Sequence, residues 1–102
     1  MTIKKNYMKT KSTCKVTFTV PKSYAEGASH VTLVGEFNEW DSTRTEMKPL
    51  KKGGFQSILT LEPGRSYQFR YVADGQHWFN DHEADLYVPS GFPDAENSVV
   101  VL

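Results

Sequence analysis

The chain has 102 residues, 38% of them hydrophobic, with twelve basic side chains balanced against twelve acidic ones. That length supports one domain with a single modest core. The charge balance removes the simplest case for a nucleic-acid or anionic-membrane partner, and neither is expected.

The charge is unevenly spread. Lys4, Lys5, Lys9, Lys11 and Lys15 precede the first acid, Glu26, while no Lys or Arg follows Arg70. This reads as a solvated basic tail and a solvated acidic rim. Five lysines with Tyr7 as their only aromatic are weak ground for nucleic acid. Residues 1–12 are polar and unpatterned, so residues 1–13 are expected as a flexible arm and 14–102 as a single β-sandwich domain. No apolar run suits a signal peptide or a bilayer span, and a cytoplasmic location is expected by default.

From Cys14 the alternation is clear, with Cys14, Val16, Phe18 and Val20 on one face and Lys15, Thr17 and Thr19 on the other. Cys14 is the only cysteine, which excludes an internal disulfide and a cysteine zinc site. Pro21 ends this strand. After a loop at 22–29, a second strand is expected over 30–37, followed by Asn38, Glu39, Trp40 and Asp41. A tryptophan flanked by two carboxylates past a strand end is poorly placed for a core. Residues 38–46 read as an exposed excursion, and Met47 and Leu50 flank Pro49 in a short edge-like segment.

Phe55–Leu61 is a strand of ambiguous phase, because Ile58, Leu59 and Leu61 do not alternate strictly. Residues 66–73 alternate cleanly: Tyr67, Phe69 and Tyr71 share one face, Gln68, Arg70 and Val72 the other. Asp74-Gly75 signals a hairpin into Gln76-His77-Trp78-Phe79. Residues 80–96 read as a long surface loop, and 98–102 as a closing strand. No window holds helical period, so an antiparallel β-sandwich without the antibody Cys…Trp…Cys pattern is expected.

His77, Asp81, His82, Glu83 and Asp85 crowd nine positions, yet a His-Glu-x-x-His zinc motif would need histidine at Leu86 and a helix. Turns made by aspartates bonding to backbone explain the cluster better, so no metal and no cofactor is expected. Glycosidic cleavage needs two carboxylates across a cleft, and no nucleophile elbow or phosphate-binding loop is present. An enzyme is not expected. Trp40 and Trp78, the only tryptophans, each sit where a strand gives way to a polar turn. Their flat, electron-rich faces suit the C–H face of a pyranose, while Arg70 and Asn97 could read paired hydroxyls. Position alone fits two plugs at the ends of a sandwich equally well.

The Gly35-x-Phe37-Asn38-x-Trp40 motif, the run Phe69-Arg70-Tyr71-Val72-Ala73-Asp74-Gly75 and a following tryptophan resemble the family-48 carbohydrate-binding module. That module is the early-set, immunoglobulin-like domain of isoamylases and glycogen-branching enzymes, and the glycogen-binding domain of the AMP-activated kinase β subunit. The run from Asn80 to Pro89 and the closing Glu96-Asn97-Ser98-Val99-Val100 are similar to stand-alone bacterial isoamylase-early-set proteins. The resemblance covers about residues 14–102 and implies an immunoglobulin-like sandwich. In the kinase-type modules two tryptophans clamp a glucan, while a basic residue and an asparagine bond its hydroxyls. These fall on Trp40, Arg70 and Asn97, with the second tryptophan's position occupied by His77 and Trp78 one residue further on. A one-residue shift turns Trp78 to the other face unless the turn is lengthened. A supporting threonine and leucine fall near Ala95 and Pro93.

The resemblance thus implies non-catalytic binding of an α-glucan (glycogen, starch or maltooligosaccharide), with Trp40, Arg70, Trp78 and Asn97 as site residues and His77 beside them. The alternative is a protein-interaction module that docks on a glucan-metabolising enzyme or self-associates, through Phe79, Tyr87 and Phe92.

Overall fold

The computed structural model describes residues 2–9, 12–25, 27–92 and 95–102. Within them lie nine strands: β1 (Thr2–Met8), β2 (Thr13–Val20), β3 (Val31–Gly35), β4 (Lys48–Pro49), β5 (Phe55–Leu61), β6 (Ser66–Ala73), β7 (His77–Phe79), β8 (Leu86–Pro89) and β9 (Glu96–Val101). They form two antiparallel sheets, β1-β2-β5-β4 and β3-β6-β9-β8, with β7 added to β6. The all-β sandwich is as expected. The described residues contain two 3-10 turns, Lys22–Tyr24 and Glu36–Asn38, and no helix long and apolar enough to cross a membrane.

The alternation read in the sequence decides what fills the core. Val16, Phe18 and Val20 of β2 are fully buried, as are Val31 and Leu33 of β3, Phe69 and Tyr71 of β6, and Val100 of β9. Phe18 meets Phe69 edge-on at 5.2 Å, and Phe69 meets Tyr71 at 5.7 Å. Each such ring adds about 1.5–3 kcal/mol by leaving water. Cys14 is a free, buried thiol in the same cluster. The phase of β5 is settled by its register on β2: Leu59 lies opposite Val16 and Leu61 opposite Cys14, while Ile58 stands opposite Thr17 and is exposed.

Three segments differ from expectation. The expected arm at 1–13 contains β1, which pairs with β2 from Thr2↔Thr19 to Met8↔Thr13. Ile3, Lys5 and Tyr7 share the face that lies opposite Phe18, Val16 and Cys14, with Ile3 and Lys5 partly buried and Tyr7 exposed. Ile3 packs on the core, and Lys5 Nζ reaches Asp85 Oδ2 at 2.8 Å. An inward charge hides a strand pattern, and it also blunts an edge strand against pairing with other chains. The expected loop at 80–96 contains β8, whose Leu86 and Val88 lie opposite Val99 and Asn97. The excursion after Asn38 returns along the edge of β3: Leu33 N–H donates to Thr45 O and Met47 N–H to Val31 O, and Met47 enters the core.

The hairpin between β6 and β7 sets the functional face. Its connection is three residues long, Asp74, Gly75 and Gln76, with left-handed φ of 50° and 69° at the first two. The register is therefore Ala73↔His77, Val72↔Trp78 and Tyr71↔Phe79. Trp78 shares the outward face with Val72 and Arg70, while Phe79 joins Tyr71 inside.

Candidate functional site

The outward face of the β3-β6-β9-β8 sheet carries a groove of about 760 Å³. Its lining is Glu36, Trp40, Gln68, Arg70, Trp78, Ser90, Phe92 and Asn97. Four of the five site residues expected from the sequence converge there. The fifth, His77, does not: it lies on the other face of β7 and stacks on Phe79 at 5.7 Å. Strand alternation makes the two neighbours mutually exclusive, and the three-residue turn selects Trp78.

The floor is a hydrogen-bonded row across β6 and β9. Arg70 Nε donates to Asn97 Oδ1 at 2.7 Å, and Asn97 Nδ2 donates to Gln68 Oε1 at 3.0 Å. The Arg70 guanidinium lies 5.9 Å from the centroid of the Trp78 ring, within cation–π range. Only Nε of the guanidinium is engaged by hydrogen bonds among the described residues, so its terminal nitrogens remain available as a planar fork of donors.

Trp40 reaches the groove through an unusual backbone. Glu39 and Trp40 both have φ of 58°, a left-handed conformation costing roughly 1–2 kcal/mol for each non-glycine residue. A local lock maintains it. Trp40 N–H donates to Gly35 O at 2.9 Å. The buried Asn38 side chain accepts from Gly35 N–H at 3.0 Å and donates to Leu33 O at 2.8 Å and Thr45 Oγ1 at 3.0 Å. Gly35 is extended, so its role is space: a Cβ there would stand 2.5 Å from Gln68 O and 2.8 Å from Phe69 Cβ. Residues held in sparsely populated conformations by such over-determined surroundings are characteristic of binding sites.

The wall opposite is the turn after β8. Ser90 Oγ donates to Ala95 O at 2.9 Å and accepts from Phe92 N–H at 3.2 Å. This turn presents Phe92 with 74% of its surface exposed, the most open large apolar residue described. Trp78 is 44% exposed. Pro93, expected near a sugar-supporting position, lies outside the described residues; Ala95 N–H donates to Phe92 O. Of the aromatics named for a protein contact, Tyr87 and Phe92 are exposed, whereas Phe79 is half-buried against Tyr71; the Tyr87 hydroxyl donates to Asp81 O at 2.6 Å.

Glu36, Gln68 and Ser90 were not singled out in the sequence. Gln68 was within reach, since it alternates with Arg70 on the same face. Glu36 and Ser90 lie in turns with no period to read.

The acid-rich run after β7 is structural. Asp81 is fully buried: its Oδ2 accepts the Tyr71 hydroxyl at 2.7 Å, its Oδ1 accepts Glu83 N–H at 2.7 Å, and its N–H donates to Ser98 Oγ. Burial, and then the adjacent Asp81 charge, raise the Tyr71 pKa far above the ordinary phenol value. Asp85 joins Lys5, and His82 lies 4.4 Å from the Tyr24 ring. Among the described residues no group of three or more His, Cys, Asp or Glu could hold a metal ion.

An antiparallel sandwich with an open groove of aromatic faces, one arginine and side-chain amides has the chemistry that a carbohydrate-binding module uses. Residues 17–92 match the family of the glycogen recognition site of AMP-activated protein kinase, and the chain belongs to that family. It is 33% identical over 79 residues to Protein PTST homolog 2, chloroplastic, of Arabidopsis thaliana, covering 78% of this chain and 14% of that protein. It is 40% identical over 58 residues to Protein FLOURY ENDOSPERM 6, chloroplastic, of Oryza sativa subsp. japonica, covering 57% of this chain and 10% of that one. A 1,4-alpha-glucan branching enzyme of Photobacterium profundum is 38% identical over 64 residues, covering 62% of this chain and 9% of the enzyme. The chain thus spans between 9% and 14% of the length of these curated relatives.

Proposed function

We propose that this chain binds an α-glucan, such as glycogen, starch or a maltooligosaccharide, without cleaving it. The observation that carries this reading is the convergence of Trp40, Arg70, Trp78 and Asn97 on one open groove. Trp40 and Trp78 stack on the C–H faces of glucose rings, and Phe92 adds a third apolar face at the rim. The terminal nitrogens of Arg70 and the amides of Asn97 and Gln68 donate to hydroxyls. Glu36 is the single carboxylate among the described lining residues, whereas glycoside hydrolysis ordinarily uses two. The family and the glucan chemistry named for one relative point to the same ligand class.

An open groove excludes water incompletely, so Kd values between about 1 μM and 1 mM are expected. Titration with maltoheptaose, followed by tryptophan fluorescence and amide NMR shifts, tests the reading. Saturable shifts at Trp78, Arg70 and Asn97 support it. No perturbation at millimolar sugar would sink it.

A further inference from the structure

We propose that Glu36 is a specificity-determining residue of the groove. Its unengaged carboxylate oxygen accepts from sugar hydroxyls as the counterpart of the Arg70 donors, and its charge selects neutral glucans over anionic ones. This inference rests on the glucan-binding reading of the same groove.

The placement of Glu36 follows from where β3 stops. Gly35↔Phe69 is the last pair of the β3–β6 ladder, and Gln68 lies one step beyond it. Gln68 N–H donates at 2.7 Å to Glu36 Oε1 rather than to a main-chain carbonyl. This bond holds the carboxylate at the groove wall, and Oε2 has no partner among the described residues.

The inventory of the other polar atoms shows why that oxygen matters. Asn97 Oδ1 accepts from Arg70, and Gln68 Oε1 accepts from Asn97. Ser90 Oγ is engaged with Ala95 O and Phe92 N–H. What the floor still offers is mostly donors: the terminal nitrogens of Arg70 and the remaining amide N–H groups of Gln68 and Asn97. A sugar hydroxyl is both donor and acceptor. Against this floor its oxygen meets free donors, while its proton meets only the second lone pairs of oxygens that already accept a bond. Glu36 supplies the unengaged acceptor, and a charged one, so that neighbouring hydroxyls can donate to the carboxylate and accept from the guanidinium.

The charge balance adds discrimination. Glu36 and Arg70 are the only charged residues among the described residues that line the groove. A phosphate or uronate on the sugar would be drawn to Arg70, and Glu36 opposes it by like-charge repulsion. The simpler role, closing the end of the ladder through Oε1, is compatible with the same bond and must be separated from it by experiment.

Glu36→Gln does this, because the amide oxygen can still accept Gln68 N–H while the charge and the second anionic acceptor are lost. Calorimetric titrations of wild type and variant would use maltoheptaose and maltoheptaose carrying one 6-phosphate. Wild type is expected to bind the neutral sugar about ten-fold more tightly than the phosphorylated one. In Glu36→Gln, maltoheptaose affinity falls about three- to ten-fold, and the preference falls to about one or reverses. Glu36→Ser, which leaves an exposed N–H to water, loses the preference in the same way. Equal weakening for both sugars, or no change in a folded variant, overturns the proposal and leaves Glu36 a ladder cap. Failure of wild type to bind maltoheptaose overturns the glucan reading itself, an outcome distinct from loss of discrimination alone.

Discussion

Arg70 Nε donates to Asn97 Oδ1 at 2.7 Å, joining β6 to β9 across the floor of the groove. The pair fixes the plane of the guanidinium before any ligand arrives, which spares the complex part of the ordering cost of a long side chain. Asn97→Ala is expected to weaken maltoheptaose binding about ten-fold while the domain stays folded. Arg70→Lys should weaken it similarly, because an ammonium cannot hold Asn97 and present a planar fork together. Calorimetric titration checks both, with circular dichroism confirming the fold.

Trp40 is partly exposed and owes its position to backbone geometry rather than to core packing. Trp40→Ala should therefore remove about 2 kcal/mol or more of binding free energy, with a melting temperature close to that of wild type. A large loss of stability would show instead that the indole is a plug for the sandwich.

Gly35 has no room for a methyl group, since a Cβ would press on the Gln68 carbonyl at 2.5 Å. Gly35→Ala is expected to destabilise the domain by about 1–3 kcal/mol through overpacking. Because the Asn38 and Trp40 bonds both end on Gly35, glucan affinity should fall with it. Urea denaturation and maltoheptaose titration on one preparation test the coupling.

Tyr71→Phe would leave Asp81 Oδ2 buried without its hydroxyl donor. An unsatisfied buried acceptor costs about 1–3 kcal/mol, so urea midpoints should drop accordingly. The hydroxyl lies on the core side of β6, and glucan affinity should remain at the wild-type level.

Asp85 provides a pH signature. Burial alone would raise its pKa, but the Lys5 ammonium and the Val101 N–H, at 2.8 and 2.7 Å, outweigh that and hold it below the ordinary carboxylate value. A carboxyl depressed in the folded state adds stability above its unfolded pKa of about 3.9 and loses it as pH falls through the folded value. Lys5→Met should lower stability at pH 7, with the two proteins converging as pH falls below the ordinary carboxylate range. Parallel curves across that range would contradict the link between β1 and Asp85.

Local patterning explains which parts of this structure were legible. Strands β2 and β6 alternate over eight residues each, and their inward faces are those read from the sequence. Strand β1 was concealed because Lys5 occupies an inward position, and its justification, Asp85, lies 80 residues away. Strand β8 sits among acids and prolines whose partners are likewise distant. Within the groove, Trp40, Arg70 and Asn97 follow from motif and phase. The choice between His77 and Trp78 turned on the length of one turn, a property that Asp74-Gly75 alone does not fix.

The two sides of the groove have different origins. The row from Gln68 to Asn97 is part of the strand ladder, and moving it would disturb the core beneath. The backbone position of Trp40, by contrast, is set within a single stretch from Leu33 to Thr45, by an amide and two left-handed residues. Glu36 and Glu39 lie inside that stretch and are exposed. Substitutions there could widen or narrow the cleft while the floor stays in register, so that one scaffold could fit glucan chains of different curvature.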